Sequence, residues 1–124
     1  MILGIGIDVV HVNRMRKWQR VEGLLQRYFH PDELASVRKR QESLAVLSLA
    51  ARFAAKEAFG KALGTGLKGL ALKEIQVENN YNGKPDIRLF GKAREAFEKI
   101  GGKNLLVSLT HEKDNAIAVV IIEG

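Results

Sequence analysis

Three charged side chains in this sequence have the types and spacing needed to act on a phosphate group. Asp8 lies near the end of an apolar N-terminal strand, and Glu57 and Lys61 lie four residues apart in a long alanine-rich helix, so they share one helix face. Magnesium takes one or two carboxylates and completes its octahedron with phosphate and water. A lysine one turn away could neutralise a phosphate oxygen on that metal. The three residues therefore indicate a candidate magnesium site for phosphate chemistry.

The same residues also allow ordinary structural roles. Asp8 could be a surface acid at the end of a strand, and Glu57 with Lys61 has the order and spacing of a favoured helix salt bridge. The setting weakens this second alternative, because the predicted helix carries only four charged residues among mostly apolar ones. Charges retained in such a helix tend to face a cleft or each other. The four are Arg52, Lys56, Glu57 and Lys61.

Hydrophobic periodicity predicts a single α+β domain over residues 1–124, with a small antiparallel sheet packed on a long central helix. The long helix covers residues 44–63, with Ser43 as its N-cap and Gly64 at its end. A mobile loop follows at residues 65–69, and Asn82 with Gly83 forms a tight turn between two strands. The other predicted elements are strands at 2–10, 72–78, 86–90, 104–111 and 116–122, a short helix and turn over 11–29, and helices at 30–40 and 91–100.

The first predicted strand has one bulky face and one face almost without side chains. Branched apolar residues occupy positions 3, 5, 7 and 9 on one face, whereas Gly4, Gly6 and Asp8 share the other. Two glycines leading to an acid indicate that another element or a ligand approaches this second face closely.

The composition, with 46% hydrophobic and 27% charged residues, is that of an ordinary globular protein. The sequence contains no cysteine, which excludes disulfides, zinc–thiolate sites and thiol catalysis and fits a reducing cytoplasm. The apolar N-terminus has no basic region before it and soon meets Asp8, so it predicts neither a signal peptide nor a membrane span. We therefore expect a soluble cytoplasmic protein that does not bind a membrane.

The net charge of +6 is concentrated in the first half of the chain. Residues 1–63 hold 11 Lys/Arg and 6 Asp/Glu, a net of +5, and residues 64–124 hold 9 and 8, a net of +1. This excess suits a solubilising surface, or an acidic partner such as a nucleic acid, a phosphorylated cofactor or an acidic protein. Composition alone leaves these alternatives open. The clusters are Arg14, Arg16, Lys17, Arg20 and Arg27, followed by Arg38, Lys39 and Arg40.

Three familiar motifs are excluded. Residues 64–69 match G-x-G-x-x-G, but they follow a helix instead of a strand, so the geometry for binding a dinucleotide is not expected. No G-x-x-x-x-G-K-[ST] occurs, and His111 with Glu112 lacks the second histidine of a metalloprotease motif. His111 ends an apolar strand, where it could be a satisfied histidine or could contact a phosphate at the mouth of a cleft.

Four segments, in matching order and spacing, resemble the holo-(acyl-carrier-protein) synthase family of phosphopantetheinyl transferases over nearly the whole chain. The first is Gly-Ile-Gly-Ile-Asp, ending at Asp8, with Arg14 six residues further on. The most specific is Arg-Phe-Ala-Ala-Lys-Glu-Ala-Phe-Gly-Lys-Ala at residues 52–62. The others are Asn-Gly-Lys-Pro at 82–85 and Ser-Leu-Thr-His at 108–111, followed by Ala116 and Ala118. The length resembles the short bacterial branch, typically a homotrimer with sites at subunit interfaces.

The resemblance implies a 4′-phosphopantetheinyl transferase fold and activity. Such an enzyme transfers the 4′-phosphopantetheine group of coenzyme A to a serine of apo-acyl carrier protein, releases 3′,5′-ADP and supports fatty acid biosynthesis. The serine would lose its proton to Glu57 or to a water molecule on the metal. The implied catalytic residues are Asp8, Glu57 and Lys61, with Mg²⁺ on Asp8 and Glu57; the coenzyme A contacts are Arg52, Lys61, Gly64 and His111, and the carrier-docking residues are Arg14, Lys17 and Arg20.

Three positions are unusual for this family. His11 stands where the family often has an acid, and Thr110 replaces a common serine while keeping the hydroxyl. Gly60 interrupts the helix between Glu57 and Lys61, at a cost of about 1 kcal/mol relative to alanine. Close packing is the one explanation that the sequence offers for this glycine.

Two other classes of function are compatible with parts of the pattern. The basic clusters suit a nucleic-acid-binding module, although aromatic residues make up only 6% of the chain and no recognised binding motif is present. The two carboxylates would also suit a magnesium-dependent nucleotide hydrolase. The resemblance favours the transferase, and with it an acidic carrier protein, not a nucleic acid, as the partner of the basic N-terminal segment.

Overall fold

The computed structural model describes all 124 residues, and they form an α+β unit. None of the helices combines the length and the apolar character that crossing a membrane requires. In chain order the elements are β1 (Ile2–His11), α1 (Val12–Gln19), α2 (Leu24–Tyr28), α3 (Pro31–Arg38), α4 (Glu42–Leu63), β2 (Ile75–Asn79), β3 (Pro85–Leu89), α5 (Gly91–Lys99), β4 (Asn104–His111) and β5 (Asn115–Glu123).

Three local features differ from the expectations. Ser43 does not cap α4, because the helix begins one residue before it and Gln41 takes the extended capping backbone, with φ −59° and ψ 149°. A side chain already inside the first turn cannot occupy the N-cap. The strand expected from residue 72 starts at Ile75, because Leu72–Glu74 form a 3₁₀ turn. The region 11–29 contains two helices, α1 and α2.

The strands form two antiparallel sheets. In the larger sheet β5 lies between β1 and β4, and the β2–β3 hairpin forms a separate sheet. The tight turn expected between β2 and β3 is confirmed, since Gly83 has a positive φ of 82°. One face of the three-stranded sheet packs against α4, and this contact positions the candidate site.

α4 lies very close to β1 because that strand has no side chains at two positions facing the helix. A Cβ atom on Gly4 would lie 1.9 Å from the carbonyl oxygen of Ala62, and a Cβ atom on Gly6 would lie 1.9 Å from that of Ala58. The predicted close approach to the glycine face is therefore confirmed, and the approaching element is α4. The contact brings the last turns of α4 alongside Asp8, which follows on the same face of β1.

The long helix is central, as its apolar circumference predicts. Of its 22 residues 15 are buried, and they include Arg52 and Lys56 as well as alanine, leucine and phenylalanine side chains. Of the four charged residues within 44–63, two therefore lie in the interior, whereas Glu57 and Lys61 remain partly or wholly accessible.

A buried ionic network fastens α4 to α3 and to the segment before β2. Lys56 is wholly buried and donates from Nζ to Glu33 Oε1 at 2.6 Å, to the carbonyl oxygen of Leu72 at 2.9 Å and to that of Ile75. Glu33 also accepts from two backbone N–H groups, at 2.9 and 3.1 Å. Burial lowers the pKa of Lys56, and the Glu33 carboxylate opposes that shift. Because each polar atom has partners, the network holds three segments in one arrangement.

The other face of the three-stranded sheet is apolar and uncovered. Ile5, Ile7 and Val9 of β1 are 65%, 57% and 56% exposed. They align with three branched apolar residues of β5, and Leu106 of β4 continues the same surface. We call this surface the outer sheet face. Contiguous apolar surface of this kind marks an interaction site in a folded protein.

Candidate active site

Asp8 and Lys61 meet where β1 runs beside the last turns of α4. Lys61 Nζ donates to Asp8 Oδ1 at 3.0 Å and to the carbonyl oxygen of Ile7 at 3.0 Å. The ion pair therefore joins the helix to the sheet. The alternative that Lys61 pairs along the helix with Glu57 is wrong, because its carboxylate partner is Asp8.

Glu57 lies next to this ion pair. Burial raises the pKa of the Glu57 carboxyl, and the nearby Asp8 carboxylate raises it further, whereas the charges of Arg14 and Lys61 act in the opposite direction. The structure thus brings Asp8, Glu57 and Lys61 together, as the sequence predicts, and we call these three residues the carboxylate cluster. Two carboxylates held near each other repel, and a bound cation relieves that repulsion.

The donor set of the carboxylate cluster fits magnesium. Its two carboxylates come from separate elements, and no third acidic, histidine or cysteine side chain completes a closed metal cage. Mg²⁺ usually keeps several waters and binds through one or two carboxylates together with phosphate oxygens of a substrate. An open pair of carboxylates therefore suits a metal ion that is shared with a phosphorylated ligand. Asp8 and Glu57 are the residues that could hold it.

The start of α1 places Arg14 near the cluster. His11 is the N-cap of α1, since its Nδ1 accepts from the backbone N–H of Asn13 at 3.3 Å. Capping is the local role of the histidine that replaces the family's acid. Lys17 and Arg20 are exposed in the same segment, as is Arg14. The predicted docking residues therefore form an accessible basic surface, and Arg14 is the one whose charge is felt at Glu57.

A second group of polar side chains lines a groove between α4, β4 and the β2–β3 hairpin. The groove has a volume of about 250 Å³ and brings together Arg52 and His111, two of the predicted coenzyme A contacts. Arg40, Ser48 and Asn79 line it as well, and sequence reasoning missed all three as site residues. Ser48 had a signal, because it lies one helical turn before Arg52 on the same face. We call this feature the basic groove.

Arg52 has fewer free donors than the sequence suggests. Its side chain is 5% exposed, and its Nε donates to Ser48 Oγ at 3.2 Å. Its Nη1 donates to the carbonyl oxygen of Val77 and lies 3.8 Å from Glu33 Oε2. These contacts engage two of the three guanidinium nitrogens, which leaves Nη2 without a hydrogen-bond partner within the chain.

The carboxylate cluster and the basic groove lie on different sides of α4. Each residue advances about 100° around a helix, so Arg52 is about 140° from Glu57 and about 180° from Lys61. The strand order also separates the two groups, because Asp8 lies on β1 at one edge of the sheet and His111 lies on β4 at the other. Within one chain, the structure does not bring these two parts of the predicted site together.

Three glycines shape the end of α4 and the loop that follows it. Gly64 takes the left-handed C-cap conformation, with φ 86°, which confirms it as the end of the helix. The loop then turns back, and the Gly66 N–H donates to the Gly60 carbonyl oxygen at 2.9 Å. A Cβ atom on Gly60 would lie 2.9 Å from Gly66 and from the side chain of Leu67. The unexplained glycine in the helix therefore makes room for the following loop.

The amino-acid sequence of the chain matches a recognised class of transferases. The family model of the 4′-phosphopantetheinyl transferase superfamily matches residues 4–120, a range that includes the carboxylate cluster and the basic groove. The chain belongs to this superfamily.

Individual members of the superfamily are similar to this chain over nearly its full length. Over 124 residues the chain is 55% identical to the holo-[acyl-carrier-protein] synthase of Treponema denticola, with 100% of both chains covered. The solved holo-[acyl-carrier-protein] synthase of Neisseria meningitidis has a TM-score of 0.90 and 32% identity, with 100% of both chains covered. A holo-(acyl-carrier-protein) synthase from Bacillus anthracis in complex with CoA (3′,5′-ADP) has a TM-score of 0.83 and 32% identity, covering 98% of this chain and 96% of that one. These findings confirm the family resemblance and the predicted fold.

Proposed function

We propose that this chain transfers phosphopantetheine with the help of Mg²⁺ held by Asp8 and Glu57. The reaction moves the 4′-phosphopantetheine group of coenzyme A to a serine hydroxyl of an apo-acyl carrier protein and releases 3′,5′-ADP. The observation that carries this proposal is the carboxylate cluster, in which Lys61 Nζ donates a hydrogen bond to Asp8 Oδ1 at 3.0 Å beside Glu57. The full-length similarity to a holo-[acyl-carrier-protein] synthase supports it. As part of the proposal, the enzyme acts in the cytoplasm and supplies holo-carrier for fatty acid biosynthesis.

The carboxylate cluster suits transfer from a pyrophosphate. A pyrophosphate is multiply negative, so it repels an incoming nucleophile and leaves with difficulty. Mg²⁺ on Asp8 and Glu57 would neutralise its oxygens and the charge that develops on the leaving group. The Lys61 ammonium adds a second positive centre, and its hydrogen bond orients Asp8. The serine hydroxyl gives its proton to Glu57 or to a water molecule as its oxygen forms a bond to the phosphorus nearer pantetheine. The bond from that phosphorus to the bridging oxygen breaks, and 3′,5′-ADP takes the electron pair.

The basic groove suits the nucleotide end of coenzyme A. Arg40, Arg52 and His111 supply cationic or hydrogen-bonding groups around a cavity of about 250 Å³. Gly64 lies beside Lys61, at the carboxylate cluster and away from the basic groove. Because Gly64 has no side chain, its backbone leaves room for coenzyme A. A coenzyme A molecule that uses both the carboxylate cluster and the basic groove must then lie between two chains.

The proposal includes a homotrimer. The outer sheet face supports an assembly, because Ile5, Ile7 and Val9 would leave water when a second chain covers them. In a closed ring of identical chains, the carboxylate cluster of each chain can face the basic groove of a neighbour. We expect sedimentation equilibrium at assay concentrations to give the mass of three chains. A fully active monomer would contradict this part of the proposal.

Charge reversal at Arg14 is expected to weaken carrier docking. Arg14→Glu should raise the KM for apo-carrier by about tenfold at low salt and by less at high salt, because exposed charges are screened within about 10 Å at 0.1 M ionic strength. Initial rates of carrier loading at several salt concentrations measure this effect. The control is Arg94→Glu on α5, where the exposed arginine is paired only with Glu98. An unchanged carrier KM for Arg14→Glu would show that the acidic partner does not bind here.

The experiment that tests the function distinguishes phosphopantetheine transfer from nucleotide hydrolysis and from nucleic-acid binding. Release of 3′,5′-ADP from coenzyme A with Mg²⁺ is followed with and without apo-carrier. Transfer predicts release only when apo-carrier is present, together with a gain in carrier mass of one phosphopantetheine group. Release without carrier would identify a nucleotide hydrolase. Salt-sensitive retention of DNA or RNA without any binding of coenzyme A would identify a nucleic-acid-binding module instead.

A further inference from the structure

The Arg14 guanidinium lies over two neighbouring aromatic rings, although its side chain is exposed. The carbon at the centre of its guanidinium lies 5.0 Å from the ring centroid of Trp18 and 4.8 Å from that of Phe53. Both distances are within the range of a cation–π contact. We call Trp18 and Phe53 the aromatic clamp. An exposed arginine normally samples many rotamers, and contact with two adjacent rings restricts that freedom.

The aromatic clamp is itself fixed by packing from three helices. The Trp18 ring of α1 stacks on Tyr28 of α2, with centroids 4.9 Å apart and an interplanar angle of 29°. Both rings meet Phe53 of α4 edge to face, at 5.0 Å for Trp18 and 6.4 Å for Tyr28. Phe53 is 2% exposed, so its ring belongs to the core. Edge-to-face and offset stacks of this kind have defined geometry, which makes the aromatic clamp a rigid support.

The position of the aromatic clamp connects the docking surface with the site of chemistry. Phe53 lies one helical turn before Glu57, so a guanidinium over its ring is on the side of α4 that carries the carboxylate cluster. Arg14 is thus fixed both on the side of α4 that carries Glu57 and at the start of the exposed basic helix.

We propose that Trp18 is a positioning residue for the carrier protein, because it holds Arg14 at a fixed distance from the carboxylate cluster. The inference rests on the proposed function, in which Arg14 binds the acidic carrier. Trp18 needs no direct contact with coenzyme A for this role. Its loss should therefore affect the use of the carrier and leave the use of coenzyme A unchanged. If Trp18 were purely structural, its loss would instead change the stability of the protein or impair the use of the carrier and of coenzyme A equally.

The test compares Trp18→Leu, which removes the ring, with Trp18→Phe, which keeps one. Trp18→Leu should raise the carrier KM by about twofold to fivefold, the range of a cation–π contact at an exposed site, and leave the coenzyme A KM at the wild-type value. Trp18→Phe should recover most of the loss. Adding Trp18→Leu to Arg14→Ala should have little further effect, because the tryptophan acts through the arginine. The matched control is Phe97→Leu on α5.

Three outcomes would overturn the inference: a carrier KM for Trp18→Leu that stays at the wild-type value, equal increases in both KM values, or full additivity with Arg14→Ala. If Trp18→Leu does not fold, the wild-type protein still gives an answer, since Trp18 is its one tryptophan. Its fluorescence should change when apo-carrier is added, and Arg14→Ala should remove that change; constant emission would contradict the inference. A wild-type protein without transfer activity would refute the proposed function itself, which is a different result.

Discussion

Replacement of Glu57 by glutamine is expected to lower kcat for carrier loading by about 10²–10³-fold without unfolding the protein. The amide has the size of the carboxylate but lacks the negative charge that would bind Mg²⁺. Because burial and, after it, the Asp8 carboxylate raise the pKa of Glu57, ionising this group is less favourable in the folded, metal-free protein than in the unfolded chain. The variant should therefore be at least as stable as the wild type when no metal is present. Loading is followed by intact mass of the carrier, and stability by thermal unfolding in a chelator.

This combination of lost activity and retained stability distinguishes a metal ligand from a structural residue. Asp8→Asn should also lose activity, but it should lose some stability as well, because Asp8 accepts the hydrogen bond of Lys61 at 3.0 Å. The matched control is Glu95→Gln on α5, an exposed glutamate outside the site. A folded Glu57→Gln protein that loads carrier at nearly the wild-type rate would show that this carboxylate does not hold the metal.

Replacement of Lys56 by methionine is expected to cause the largest loss of stability, about 3–5 kcal/mol. Methionine fills a similar volume but makes none of the three hydrogen bonds of the ammonium group. It also leaves the Glu33 carboxylate buried without its closest positive charge, and an uncompensated buried charge is costly. Urea unfolding at a fixed protein concentration measures the free energy of unfolding, and an unchanged m-value shows that the same surface unfolds.

Two comparisons make the prediction for Lys56 specific. Arg94→Met breaks the exposed pair with Glu98, where N and O are 2.9 Å apart, and should cost no more than about 0.5 kcal/mol. The double variant Glu33→Leu with Lys56→Met removes both buried charges and should lose less than Lys56→Met alone. If Lys56→Met were no less stable than Arg94→Met, the buried network would not hold α3, α4 and the start of β2 together.

The parts of the fold that depend on local pattern could be predicted from the sequence. The alternation in β1 correctly indicated a face open to close approach, because Gly4 and Gly6 have no side chains to prevent it. The apolar circumference of α4 indicated a buried central helix for the same kind of reason. The prediction of Ser43 as the N-cap was wrong, because sequence alone does not fix the first residue of a helix to better than one or two positions.

The candidate site was only partly predictable, because its residues are brought together by long-range packing. Lys56 and Glu57 are neighbours in sequence with similar surroundings, yet one enters the core and the other faces the site. What separates them is Glu33, which is 23 residues before Lys56 and belongs to α3. Family likeness assigned Arg52 and Glu57 to one ligand, but their helix faces and the order of strands in the sheet place them apart in a single chain. The residue spacing along α4 already indicates part of this separation, whereas the strand order, which puts β1 and β4 at opposite edges of the sheet, depends on long-range pairing.

The most direct test of the central claim, that Asp8 and Glu57 hold the metal used in transfer, is the magnesium dependence of carrier loading in matched proteins. Intact mass of the apo-carrier is followed over time for the wild type, Asp8→Asn and Glu95→Gln across a Mg²⁺ titration. We predict that loading by the wild type and by Glu95→Gln stops in a chelator and returns with Mg²⁺, and that Asp8→Asn needs at least about tenfold more Mg²⁺. Full loading in the chelator, or the same Mg²⁺ requirement in Asp8→Asn as in the wild type, would contradict the claim.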